Sequence, residues 1–126
     1  MQEVDVMDKR TVVLGASQNP GRYAYSAVKK LREKGHTPLP VGIRKGSIDG
    51  VDIQVGMPSI EDVHTVSLYL SVKNQLPLYD YILELNPRRI IFNPGAENPE
   101  LSRIAKSRGI EVTNGCTLVM LAINTY

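Results

Sequence analysis

The segment that most constrains the fold is TVVLGASQNPGRY, which spans residues 11–23. Its first four residues form a short, continuous β-branched apolar run, typical of a central strand in a parallel sheet that is covered on both faces. A turn with two glycines and a proline follows, and an amphipathic pattern over 22–34 predicts a helix that ends at Gly35. Strand, tight turn and helix in this order predict the first half of a β-α-β unit.

The rest of the chain continues the alternation of strand and helix. Four more strands are predicted at 36–41, 65–72, 90–92 and 110–114, with helices starting at Asn74 and Asn98 and covering 117–123. In 65–72, Val66, Leu68, Leu70 and Val72 alternate with Thr65, Ser67, Tyr69 and Ser71. This alternation predicts a half-exposed strand at a sheet edge. Residues 42–64 hold four glycines and predict a loop with a brief strand at 53–55.

Together these patterns predict an α/β protein. The expected architecture is a Rossmann-like open parallel five-stranded sheet in the order 3-2-1-4-5, with helices on both faces. This order places the alternating strand at an edge of the sheet. With 126 residues, the chain is expected to form one domain covering residues 1–126.

Charge and composition restrict the class of partner. Residues 1–50 carry nine Lys/Arg and five Asp/Glu, whereas residues 51–126 carry six and eight, which favours a compact anion over nucleic acid. The start MQEVDVMDKR lacks the pattern of a signal peptide, and no apolar run approaches the ~20 residues of a membrane helix. The single Cys116 fits a reducing compartment, so a soluble cytoplasmic protein is expected. The apolar end LVMLAI and Tyr126 either cover the sheet or form a homodimer or other protein interface.

A ligand crevice is expected where the strand order reverses, between predicted strands 1 and 4. The loops GASQNPGRY and NPGAENPE would meet there, and helix 22–34 would direct its free N–H groups and positive dipole end at a phosphate. Ser17 would add a hydroxyl and Arg22 a forked cation. The alternative is that a tight turn from strand to helix needs glycine for structural reasons alone.

The segment after the second strand narrows the choice of nucleotide. A NAD-binding fold has an acid there for the ribose, whereas this chain reads PVGIRKGS and has no acid before Asp49. Arg44 and Lys45 instead indicate a phosphorylated ribose, as in NADP or coenzyme A, unless they belong to a solvated basic loop. A hydride-transfer enzyme also needs a group that handles a proton. His36 and His64 both precede strands and are interpreted as surface or capping residues.

Cys116 follows the last strand on the ligand side of the sheet. A helix N-terminus at this position could lower the thiol pKa and make the residue reactive towards a ligand thiol. The alternative is a small buried apolar residue, which is the common use of a lone cysteine.

Five segments, in this order, resemble the small stand-alone CoA-binding proteins, whose fold is similar to the CoA-binding domain of succinyl-CoA synthetase. They are VVLGASQNPGRYAYSAVKKLREKGH, PLPVGIRKGSIDGV, GMPSIEDV, IIFNPGAEN and EVTNGC, between residues 11 and 116. The resemblance implies a Rossmann-type domain that binds coenzyme A or an acyl-CoA and has no catalytic residues of its own. The chain departs from the family at Gly42–Ile43, where Asn-Pro is frequent, and at Ser71, where a charged or aromatic residue is usual.

The resemblance also implies a set of CoA-binding residues. They are Gly15, Ala16, Ser17, Pro20, Gly21, Arg22 and Tyr23 in the phosphate loop, Val41, Arg44 and Lys45 near the adenosine, Ser71 and Val72 after the third strand, Asn93, Pro94 and Gly95 after the fourth, and Asn114 and Cys116 near the end. Two other functions stay open. One is an NADP-dependent oxidoreductase or its cofactor domain, and the other is an interaction protein with a vestigial nucleotide site.

Overall fold

The computed structural model describes residues 7–126. The expectation that the chain has no signal peptide concerns residues 1–10, and the first six of these lie outside the described residues. The strands are β1 Thr11–Leu14, β2 Pro38–Gly42, β3 Ser47–Ile48, β4 Val51–Asp52, β5 Gln54–Val55, β6 Thr65–Leu68, β7 Arg89–Phe92 and β8 Glu111–Asn114. The α-helices are α1 Tyr23–Glu33, α2 Val72–Gln75, α3 Tyr79–Glu84, α4 Pro99–Ser107 and α5 Thr117–Ala122, with a 3₁₀ turn at Leu76–Leu78.

One parallel sheet organises the molecule. Its strand order is β5-β2-β1-β6-β7-β8, and β3 and β4 form a separate antiparallel hairpin. Every residue of β1, β6 and β7 is buried, as the continuous apolar runs in β1 and β7 predict. Helices α1 and α5 pack on one face through Leu31 and Leu121, and α3 and α4 pack on the other through Ile82 and Leu101. The predicted α/β Rossmann-like class is confirmed.

The predicted five strands and the predicted order 3-2-1-4-5 were both wrong, because the sheet has six strands and β6 lies in its centre between β1 and β7. Its polar residues do not face solvent. Thr65 accepts a hydrogen bond from Arg89 Nε at 3.1 Å, and Ser67 accepts one from Asn93 Nδ2 at 2.9 Å, both in the buried interior. Buried polar groups that are paired in this way are tolerated in a core. The edge next to β2 is instead occupied by β5, near the predicted strand 53–55.

Two further predictions around β6 were also wrong. The strand ends at Leu68, so Ser71 and Val72 belong to the start of α2 rather than to the end of a strand. The following helix begins at Val72, with Ser71 rather than Asn74 as its N-cap residue, and is interrupted by a 3₁₀ turn at Leu76–Leu78. Pro77 explains the interruption, since proline has no N–H to donate in the helical ladder. The predicted start of α4 is confirmed, because the Asn98 side chain accepts a hydrogen bond from Leu101 N–H.

The hairpin of β3 and β4 was not predicted. Its turn residues Asp49 and Gly50 both have positive φ, of 51° and 82°, a conformation that suits a two-residue hairpin turn. Ile48 is completely buried against the α1 face of the sheet. The Arg32 guanidinium on α1 donates to the Asp49 carbonyl, so the hairpin is fastened to the body at both of these points.

Both histidines lie at the amino edge of the sheet, the edge formed by the strands' amino ends. His36 is buried rather than on the surface, and its Nδ1 accepts a hydrogen bond from the Lys9 N–H at 3.0 Å. Burial, followed by the charge of Lys9, lowers the pKa of His36. Burial and the charge of Arg89 lower the pKa of His64 in the same way. Both rings therefore take up a proton at a lower pH in the folded protein than a free histidine does.

This shift in pKa predicts a loss of stability in mild acid. In the unfolded chain both histidines become protonated as the pH falls through about 6.5. In the folded protein their pKa values are lower, so they become protonated only at a lower pH. The free energy of unfolding should therefore be level above pH 7 and fall as the pH drops from 6.5 towards 5. Urea unfolding at pH 7.5 and pH 5 measures the difference. In a His36→Gln/His64→Gln variant the difference should shrink, and an unchanged difference would assign it to other groups.

Candidate functional site

The strand order places the crevice between β1 and β6. Chain connections lead away from this pair in opposite directions, from β1 towards β2 and from β6 towards β7 and β8. The crevice was predicted to lie between strands 1 and 4, which correspond to β1 and β7. That prediction was therefore wrong by one strand. The loops after β1, β2, β6, β7 and β8 all leave the same edge, here called the carboxyl edge, where ligands of open α/β sheets bind.

The loop after β1 is wedged between its two neighbours. The N–H groups of Gly15 and Ala16 both donate to the Val41 carbonyl, at 3.0 and 2.9 Å. Gly15 has a φ of +99°, and a Cβ on it would come within 3.0 Å of the Tyr69 carbonyl oxygen. Both the positive φ and the close contact require glycine here. The fold alone therefore explains Gly15, whether or not the loop also binds a ligand. The start of the phosphate loop is thus fixed against β2 and the loop after β6.

Polar side chains shape the rest of this loop from within. Asn19 N–H donates to Ser17 Oγ at 3.1 Å, and Gly21 N–H donates to Asn19 Oδ1 at 2.9 Å. The Ser17 oxygen acts as an acceptor, so its own O–H remains available to a ligand. Beyond these turns, Pro20, Gly21, Arg22 and Tyr23 are exposed. The loop therefore has a defined shape with an accessible outer surface.

Helix α1 starts directly after this loop with an open N-terminus. Arg22 is its N-cap residue, no side chain caps the first turn, and the first turn contains no acid. The first N–H groups of a helix need a partner from outside the helix. Together with the dipole, they favour an anion at the carboxyl edge.

Arg44 and Lys45 lie beside this loop, after β2, and both are exposed. Neither forms an ion pair with another residue in the range 7–126. The backbone that carries them packs closely on the phosphate loop, since a Cβ on Gly42 would overlap the Ala16 carbonyl oxygen and one on Gly46 would meet Gln18 Oε1 at 2.6 Å. Two exposed cations therefore lie on a segment that packs against the phosphate loop, the loop that leads into α1.

The loops after β6 and β7 line the other half of the crevice. Ser71, Val72, Pro94 and Gly95 are exposed there, as a ligand-binding surface requires. Asn93 differs from them, because it is only 1% exposed. Its side chain donates to Ser67 Oγ and to the Leu68 carbonyl and accepts from Thr117 N–H. Its polar atoms are thus engaged inside the protein.

The segment after β8 reaches the same edge. Asn114 is exposed, and Cys116 is half-buried at the N-cap position of α5. Gly115 N–H donates to the Phe92 carbonyl at 3.1 Å, which ties this segment to the end of β7. The residues named from sequence thus gather at one edge in two groups, one around β1 and β2 and one around β6, β7 and β8.

A buried polar group that sequence reasoning missed supports the second half of the crevice. Gln75 is completely buried, and its Nε2 donates to the carbonyls of Leu70 at 2.7 Å and Ala96 at 2.8 Å. Its Oε1 accepts from Asn98 Nδ2 at 2.8 Å. Gln75 therefore joins the loops after β6 and β7. Two of its three partners, Ala96 and Asn98, are more than 20 residues away, so only the capping position of Asn98 gave any signal.

Two features are absent from the part of the chain that the structure describes. Within residues 7–126, no three His, Cys, Asp or Glu side chains are grouped so that they could hold a metal ion. None of the described helices has both the length and the apolar character needed to cross a membrane.

Comparison with known proteins gives consistent matches. The model of the CoA binding domain family matches residues 9–122. A crystal structure of an uncharacterized protein is 49% identical, with a TM-score of 0.93, and the match covers 96% of this chain and all of that one. A hypothetical protein from Pyrococcus horikoshii OT3 is 25% identical, with a TM-score of 0.79 and coverage of 90% and 81%.

A more distant match extends to a larger enzyme. The dinucleotide forming acetyl-coenzyme A synthetase 1 from Ca. Korarchaeum cryptofilum, solved with phosphate and ADP, is 18% identical with a TM-score of 0.69. The match covers 86% of this chain but 26% of the synthetase, so it shows a shared fold for one part of that protein. No curated protein matches the chain at a significant level.

Proposed function

The chain belongs to the CoA-binding domain family, and from this premise we propose that it binds coenzyme A or an acyl-CoA at the carboxyl edge without chemistry of its own. The observation that carries the proposal is the open N-terminus of α1 after a loop on which the segment with Arg44 and Lys45 packs, two cations that have no ion-pair partner within residues 7–126. Donors and charges left free in this way suit a ligand with several phosphates.

The two halves of the crevice suggest how the ligand lies. In this proposal the diphosphate sits on the loop Gly15–Tyr23, and the 3′-phosphate of the adenosine meets Arg44 and Lys45. The pantetheine arm then runs over the loops after β6 and β7, past Ser71 and Gly95, towards Cys116. Chain 1–126 acts as one binding unit, and a partner protein or a second copy supplies any reaction of the thiol. The unpaired Cys116 supports a reducing, cytoplasmic location.

A thermal shift series tests the ligand directly. Coenzyme A, acetyl-CoA, NADP and NAD are compared at equal concentration, because a ligand that binds the folded state raises the melting temperature. We expect shifts with coenzyme A and acetyl-CoA and none with NAD. A shift with NADP alone would overturn the proposal in favour of an oxidoreductase or its cofactor domain, which also uses a phosphorylated ribose. No shift with any of the four would favour an interaction protein with a vestigial site.

Replacing both cations tests the assignment of the ribose phosphate. The variant Arg44→Ala/Lys45→Ala should raise the Kd for coenzyme A about 10- to 100-fold, since a hydrogen bond to a charged group is worth about 1.5–3 kcal/mol. The Kd for dephospho-CoA, which lacks the 3′-phosphate, should change by less than about threefold. Isothermal titration calorimetry measures both constants.

The matched control removes two cations elsewhere. Arg103 and Lys106 are exposed on α4, so Arg103→Ala/Lys106→Ala changes the net charge equally without touching the loop after β2. The control should bind coenzyme A as the wild type does. Equal weakening of coenzyme A and dephospho-CoA by the Arg44/Lys45 variant would remove the 3′-phosphate from the contacts of these two side chains.

A further inference from the structure

Three buried polar side chains meet beneath the half of the crevice formed by β6, β7 and β8. Asn93 Nδ2 donates to Ser67 Oγ at 2.9 Å and to the Leu68 carbonyl at 2.8 Å, and its Oδ1 accepts from Thr117 N–H at 2.8 Å. Ser67 Oγ and Thr117 Oγ1 lie 2.8 Å apart and share a hydrogen bond. Ser67, Asn93 and Thr117 are here called the joint, and none of them is more than 1% exposed.

The joint connects three parts of the chain that are far apart in sequence. Ser67 belongs to β6, Asn93 follows β7, and Thr117 is the first residue of α5. Both N–H donors of the Asn93 amide and its oxygen are engaged inside the protein, so the side chain has little left to offer a ligand. Buried hydrogen-bonded networks of this kind favour one arrangement of the surrounding backbone. The joint therefore sets where Gly95 and Cys116 lie relative to the end of β6.

The other half of the crevice is held by different contacts, although it meets the loop after β6 where Gly15 packs against the Tyr69 carbonyl oxygen. The start of the phosphate loop is fixed by the bonds of Gly15 and Ala16 to Val41, and the loop after β2 is fixed by the hairpin. No member of the joint takes part in these bonds. A change in the joint should thus displace the second half of the crevice while the first half keeps its shape.

We propose that Ser67, Asn93 and Thr117 are positioning residues that set the affinity for the pantetheine arm of the ligand without touching it. This inference rests on the proposed function, since it assigns the arm to the β6–β8 half of the crevice. It also changes the interpretation of Asn93, which the sequence placed among the residues in contact with the ligand. The nucleotide part should be bound independently of the joint.

Two ligands separate the halves of the crevice. Coenzyme A spans both halves, whereas adenosine 3′,5′-bisphosphate carries only the nucleotide part. Thr117→Val keeps the volume and the N–H bond to Asn93 but removes the hydroxyl that pairs with Ser67. This hydroxyl does not touch the ligand, so its loss acts only by displacing the loops that carry Gly95 and Cys116, and we expect the Kd for coenzyme A to rise about tenfold. The Kd for the bisphosphate should stay within about twofold of the wild-type value.

Thr125→Val is the matched control, because Thr125 is exposed and follows the end of α5 at Ala122. It should leave both constants unchanged. Ser67→Ala is the second variant, in case Thr117→Val fails to fold, and it should show the same difference between the ligands. Calorimetric titration provides the constants, and thermal unfolding checks that each variant is folded.

The outcomes separate this inference from the function on which it rests. If wild-type protein binds coenzyme A but the variants weaken both ligands equally, or neither, the joint has a structural function only and the inference is overturned. If wild-type protein binds neither ligand, the proposed function fails and the inference fails with it. A selective loss of coenzyme A affinity, absent in Thr125→Val, supports both.

Discussion

Ile48→Ala is expected to lower the free energy of unfolding by about 2–5 kcal/mol, the usual range when a buried isoleucine is truncated. Ile48 is completely buried in the apolar cluster that also contains Val13, Leu31 and Leu121. It is the inner residue of a two-stranded hairpin that has little else in the core, since its β3 neighbour Ser47 is exposed. A two-stranded hairpin is at best marginally stable by itself. The hairpin should therefore detach when this side chain is lost.

The same substitution should weaken ligand binding in a selective way. Arg44 and Lys45 lie just before the hairpin, so their positions depend on its attachment to α1 and the sheet. We expect coenzyme A to lose more affinity than dephospho-CoA, as with direct removal of the two cations. Urea unfolding gives the change in stability, and calorimetric titration gives the two dissociation constants.

Ile123→Ala is the control for this experiment, because Ile123 is 63% exposed just after α5. Truncation of an exposed residue should change the free energy of unfolding by less than about 0.5 kcal/mol. If Ile48→Ala proves as stable as this control, the hairpin does not depend on its apolar anchor. If stability falls but the two ligands weaken equally, the hairpin does not position the cations.

The parts of the fold that sequence predicted correctly depend on neighbouring residues. The strand β1, the helix α1 and the Asn98 cap of α4 could each be predicted from residues that are close together in the sequence. The position of β6 could not be found in this way. Its alternation of apolar and polar residues is real, but Thr65 and Ser67 are satisfied by Arg89 and Asn93, which are 24 and 26 residues away.

The candidate site shows the same limit. The loop sequences correctly indicated the edge of the sheet at which the predicted residues gather. Whether a polar residue points into the crevice or into the interior depends on partners from other strands. Asn93 is one example and Gln75, which joins the loops after β6 and β7, is another. The hydrophobic pattern of a sequence does not distinguish a buried, hydrogen-bonded Asn or Gln from an exposed one, because both count as polar residues.

Gly42→Ala is expected to disturb the phosphate loop more than any substitution of its exposed side chains. A Cβ at residue 42 would overlap the Ala16 carbonyl oxygen and meet Ile53 Cγ2 at 3.3 Å. The first of these neighbours is main chain and cannot move out of the way as a flexible side chain can.

Two effects should follow from the forced shift. Overpacking of this kind costs about 1–3 kcal/mol of stability. The shift also pulls Ala16 away from the Val41 carbonyl, which holds the N–H groups of Gly15 and Ala16 in place. We therefore expect the Kd for coenzyme A to rise at least about tenfold, equivalent to about 1.4 kcal/mol. Because the diphosphate contacts are affected, dephospho-CoA should weaken to the same extent, unlike in the Arg44/Lys45 variant.

Gly115→Ala is the matched control for stability, because a Cβ there would meet Thr113 Cγ2 at an ordinary 3.6 Å. Replacing glycine by alanine without strain tends to stabilise a protein by about 0.4–1 kcal/mol, since the unfolded chain loses freedom. The two variants should thus change the free energy of unfolding in opposite directions in urea titrations. If Gly42→Ala were instead as stable as Gly115→Ala and bound coenzyme A normally, the close packing of β2 on the phosphate loop would not be what shapes the binding surface.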